Sequence, residues 1–81
     1  MQGSHNGITL TGPQSTWLRV AKNGGRDGLI EVPQHPSLRA LERRGLVTQR
    51  PTRHSGGHRV SWRPTETGVA WLAAEDRAWG R

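Results

Sequence analysis

The sequence predicts a small α+β domain in which three helices are interspersed with one short strand and a β-hairpin. Three observations carry that reading. Three runs open on a capping signal and have helical apolar spacing. Two β-prone runs flank a Gly-Gly turn. The length, 81 residues, holds one domain with a modest core.

The first helix is expected over residues 12–23. Thr11 is placed to cap it, Gln14 sits three residues on to complete a capping box, and Pro13 suits the first turn. Trp17, Leu18 and Ala21 share one face, and Asn23-Gly24-Gly25 supplies left-handed residues to end it. Gly28-Leu29-Ile30-Glu31-Val32-Pro33 then predicts an edge strand of three or four residues, since the proline cannot extend a ladder. Pro36 marks the first turn of a second helix over 36–44, with Gln34 or His35 as cap and Gly45 as terminator. On that helix Leu38 and Leu41 face the core, while Arg39 and Arg43 lie outward with Pro36 and Ala40.

Leu46–Arg50 and Arg59–Arg63 are the strands of a hairpin whose loop carries Arg53, His54, Gly56-Gly57 and His58. In the second strand Val60 and Trp62 alternate with Arg59, Ser61 and Arg63, which separates a buried face from a basic one. Thr65 caps a third helix over 66–78, whose core stripe is expected to be Val69, Leu72 and Ala73. Residues 1–8, with MQGSHNG, read as a flexible N-terminal tail and 9–81 as the domain.

Charge is the second source of information. The chain carries +6 overall, and Arg39, Arg43, Arg44, Arg50, Arg53, Arg59 and Arg63 face a single acid, Glu42, in their own segment. That segment therefore holds the whole net charge, which favours a polyanionic partner. A lone arginine pair on a helix is ordinarily a solvated face; the adjoining basic hairpin is what raises the binding reading. Cysteine is absent, excluding disulfides and thiolate chemistry, and a reducing cytosol fits. No run is apolar enough to cross a bilayer. His54 and His58 are an incomplete metal set, no nucleophile elbow or paired carboxylates suggest an enzyme, and no cofactor motif is present.

The order of elements, the string LRALERRGLV over Leu38–Val47 and the capped TETGVAWLAA resemble the winged helix-turn-helix of MarR-like and PadR-like prokaryotic regulators. The resemblance implies a small winged-helix domain that binds double-stranded DNA in prokaryotic or phage transcription regulation. Its second helix would enter a major groove, and the hairpin would be a wing on the backbone or minor groove. Ser37 and Arg39 would read bases. Arg43, Arg44, Arg50, Arg53 and Arg59, with His54 and His58, would contact phosphates. Two departures stand out: only a glycine-rich loop and GLIEV lie where a positioning helix belongs, and Pro64 replaces an apolar residue. The first favours a rival reading, a protein-interaction module for an acidic protein partner.

Counting faces on the last helix leaves Trp71, Ala74, Ala78 and Trp79 outside the expected core. They suggest a homodimer interface, as in MarR-like relatives. The alternative is a monomer in which Ile8 and Leu10 fold back over Trp71.

Overall fold

The structure, a computed structural model, describes residues 3–52 and 58–79. It has three helices and two small antiparallel sheets. In chain order these are β1 (Gly3–His5), β2 (Ile8–Leu10), α1 (Gly12–Asn23), a 3-10 turn (Gly25–Asp27), β3 (Leu29–Glu31), α2 (Pro36–Arg43), β4 (Val47–Pro51), β5 (Val60–Pro64) and α3 (Glu66–Ala78). Strands β1 and β2 pair with each other, and the second sheet has the order β3-β5-β4.

Local chemistry explains the helix ends. Thr11 Oγ1 accepts from the Gln14 amide (3.3 Å) while Gln14 Oε1 accepts from the Thr11 amide (3.0 Å), a complete capping box. At the other end Gly24 stays in the right-handed region and Gly25 (φ 66°) reverses the chain. Helix α2 is capped by His35, not Gln34: its Nδ1 accepts from the Leu38 amide at 3.4 Å. The helix ends in a Schellman arrangement, with the Leu46 amide donating to Leu41 O, the Gly45 amide donating to Glu42 O, and Gly45 at φ 76°.

One core joins all layers: Leu10, Leu18, Ala21, Leu38, Leu41, Leu46, Val47, Trp62, Trp71 and Leu72 are buried. Trp62 and Trp71 are the largest, and each indole N–H is satisfied, by Val32 O (3.2 Å) and Ile8 O (2.9 Å) respectively. Trp17 is only half-buried and meets His35 edge-on, with ring centroids 4.3 Å apart.

Three expectations are corrected. Residues 3–8, expected as part of a tail, are ordered into a hairpin with residues 9 and 10: Asn6 (φ 56°) and Gly7 (φ 80°) form a two-residue turn with both residues left-handed, and the hairpin lies on α3. Trp71 is fully buried beneath it, so it is unavailable to a dimer interface; the fold-back of Ile8 and Leu10 takes that place. Of the other proposed interface residues, Ala74 is half-buried, Ala78 is exposed, and Trp79 is 56% exposed with its indole N–H donating to Glu75 Oε1. The core stripe of α3 is also rotated: Gly68, Trp71 and Leu72 are buried, Ala73 is half-buried and Val69 is exposed.

Gly68 explains the rotation. A Cβ there would lie 2.3 Å from Leu46 O and 3.1 Å from Leu18 Cδ1, so α3 approaches the end of α2 only because this side chain is missing. Gly→Ala inside a helix ordinarily gains about 0.5–1 kcal/mol. Gly68→Ala is predicted to do the reverse and lower stability by about 1–3 kcal/mol, the range for an overpacked core. Urea denaturation checks it, and a stabilised variant would contradict the close approach.

Candidate nucleic-acid interface

The register of the β3-β5-β4 sheet sorts its side chains. Leu29, Trp62 and Gln49 pair in one row, while Ile30, Ser61 and Arg50 pair in the next and Thr48 opposes Arg63. The first row lies on the core side with buried Trp62; the alternate rows project from the opposite side, carrying Arg50 and Arg63. This is the separation expected from the alternation in β5, with one correction. Ser61 does not belong to an open basic surface, because it is 2% exposed and its Oγ donates to Asp27 O at 2.5 Å beneath the 3-10 turn. Arg63 Nε donates to the same Oγ at 3.2 Å, which anchors the guanidinium beside the turn.

Helix α2 presents its arginines as its periodicity requires. Leu38 and Leu41 are fully buried, Arg39 and Arg43 are exposed, and Ser37 near the helix start is half-buried. Arg39 is not free, however. Its Nη1 donates to Glu42 Oε1 at 2.8 Å, and the same oxygen accepts from Gln49 Nε2 at 3.3 Å. Glu42 thereby links the helix to β4. An exposed pair of this kind is worth roughly 0–1 kcal/mol, so a stronger anion can displace it. Arg44, the residue after α2, donates to Thr9 O and ties the β1–β2 hairpin to the end of the helix.

Arg43, Arg50, Arg59 and Arg63 have no carboxylate within ion-pair distance among the described residues. Arg43, Arg50 and Arg59 are exposed, as is His58. Arg53, His54 and the Gly56-Gly57 turn lie outside the described residues. The acids elsewhere have local tasks: Asp76 pairs with Arg19 at 2.8 Å, and Glu75 Oε2 lies 3.3 Å from His5 Nε2, close enough for an ion pair yet not aligned for a hydrogen bond. No three-residue metal cluster occurs among the described residues, and no helix there is long and apolar enough to cross a membrane.

Glu42 and Gln49 were not among the site residues read from the sequence. Glu42 lies at i+3 from Arg39, a spacing at which opposite charges meet on a helix, and that signal was available. The place of Gln49 follows only from the strand register. A search of protein-family models, of curated proteins and of solved structures finds no match for this chain.

His35 positions the start of α2 in two ways, by capping and by its contact with Trp17. His35→Ala is predicted to cost roughly 0.5–2 kcal/mol, and His35→Asn to recover most of it because Asn also caps. Equal losses in urea denaturation would assign the effect to the Trp17 contact instead.

Proposed function

We propose that this chain is a winged-helix nucleic-acid-binding domain that grips duplex DNA through α2 and the β4–β5 hairpin, as a small regulator would. The observation that carries the reading is the set Arg43, Arg50, Arg59 and Arg63: three guanidiniums in the consecutive elements α2, β4 and β5 and a fourth just before β5, with no neutralising carboxylate within reach among the described residues. Cations without an internal counter-charge favour an external polyanion, and arginine's planar fork suits phosphate oxygens. The element order and the α+β architecture are compatible with a winged helix, in which β4–β5 is the wing.

Within this reading, phosphate contacts from Arg43, Arg50 and Arg59 supply affinity and steering. Arg44 contributes through its charge while bracing the N-terminal hairpin. Arg39 exchanges its Glu42 partner for a base edge, so its contribution to sequence preference is reduced by the pair it gives up. The second reading, an acidic protein as partner, is favoured by one observation: only Val32–His35 separates β3 from α2, leaving no separate positioning helix. The α1–α2 contact, with Trp17 against His35, braces α2 in its place.

Arg43→Ala combined with Arg59→Ala is predicted to weaken binding to every duplex and to flatten the log-affinity against log-salt plot by about two units. Arg26→Ala with Arg77→Ala removes the same charge from exposed sites outside this set and should leave the slope nearly unchanged. Fluorescence anisotropy with a labelled duplex reads both. Equal effects of the two pairs would mean that net charge, not this surface, governs binding.

A further inference from the structure

We infer that the cavity at the Pro51–Val60 end of the β4–β5 hairpin is a subsite for one unpaired nucleotide, an inference that rests on the nucleic-acid reading above. The cavity has a volume of about 380 Å³ and is lined by Gln49, Arg50, Pro51, Thr52, Arg59 and Val60. That volume falls within the roughly 300–1,000 Å³ typical of small-ligand pockets.

The lining has the chemistry of a nucleotide. Pro51 and Val60 pair directly in the sheet and by register project on the side opposite Arg50; at this end of the hairpin both sets line the one cavity, Pro51 and Val60 forming its apolar part. Arg50 and Arg59 line it as well, and neither has an acid partner among the described residues. An apolar wall beside guanidiniums suits a flat ring carrying an anion: the base lies against Pro51 and Val60 and the phosphate engages the arginines. Inorganic phosphate would leave the apolar wall uncovered. A base inside a duplex is stacked on both faces and cannot enter a cleft, so the occupant is an unpaired nucleotide.

Gln49 adds a polar reader. Its Nε2 donates to Pro33 O (3.4 Å) and to Glu42 Oε1 (3.3 Å), and because both partners are acceptors the amide orientation is settled by them. Oε1 remains as the side-chain acceptor that Gln49 can offer an exocyclic amine. The same Glu42 oxygen holds Arg39, so the cavity and the outward face of α2 share one hydrogen-bonded link.

The test compares a blunt duplex with the same duplex bearing a short single-stranded overhang, using the full chain and its Arg59→Ala variant. The overhang should bind wild type about five-fold tighter, the lower end of what one stacked base contributes. Arg59→Ala should weaken both ligands and bring their ratio close to one. If wild type binds both duplexes equally, the subsite is overturned while the duplex reading stands. An unchanged ratio in the variant also overturns it, since Arg59 would then act on the paired region alone. If neither duplex binds and an acidic polypeptide does, both readings fail together.

Discussion

The structure depends on the junction where α2 ends and α3 begins. Thr65 sits at its centre: its amide donates to Leu46 O (2.9 Å), its Oγ1 donates to Gly45 O (2.6 Å), and the same Oγ1 accepts from the Gly68 amide (3.1 Å) to cap α3. The missing side chain of Gly68 lets Leu46 O approach to a distance that no Cβ would permit. These contacts clamp the two ends of the β4–β5 hairpin, since Val47 and Pro64 pair immediately beyond them. The hairpin therefore leaves the core from a defined place, and its arginines take a defined position relative to Arg43. Buried polar groups that lack partners are costly, so each hydrogen bond here also constrains where the chain can go.

This junction gives the two most recognisable strings in the chain a shared physical meaning. The Gly45-Leu46 of LRALERRGLV and the Thr65-Gly68 of TETG are remote in sequence and meet in space. A second clamp lies one turn further along α3, where Trp71 donates to Ile8 O and His5 meets the Trp71 ring edge-on at 5.0 Å. Isolated two-stranded hairpins are marginal in water. The β1–β2 hairpin persists by packing Leu10 and Ile8 on this core and by the link from Arg44 to Thr9.

Much of this was legible because the deciding signals are local. Thr11 with Gln14, Thr65 before Glu66, and Gly45 after Arg44 place the helix ends within a residue of those expected, and Pro33 limits β3. Alternation in β5 separates Trp62 from Arg63 without any knowledge of the partner strands. The N-terminal hairpin was missed although its signal was present: Asn6-Gly7 between GSH and ITL is the dipeptide a two-residue turn prefers. Of the two covers the sequence allows for Trp71, a second subunit or the fold-back of Ile8 and Leu10, the structure shows the fold-back. The stripe of α3 was misjudged for a different reason, because hydrophobicity ranks Val69 above Gly68, whereas the close approach to Leu46 O selects the residue with no side chain. The Glu42–Gln49 contact and the hairpin cavity depend on strand register, which no local pattern specifies.

We propose that the junction holds α2 and the β4–β5 hairpin as one basic surface that meets a duplex. Amide chemical-shift mapping of the labelled chain with a short duplex tests it most directly. Shifts clustered over residues 39–51 and 58–63, with those of the α3 interior unchanged, are the predicted result. Shifts centred on α1 or on exposed Trp79 instead, or none at duplex excess in low salt, would contradict it.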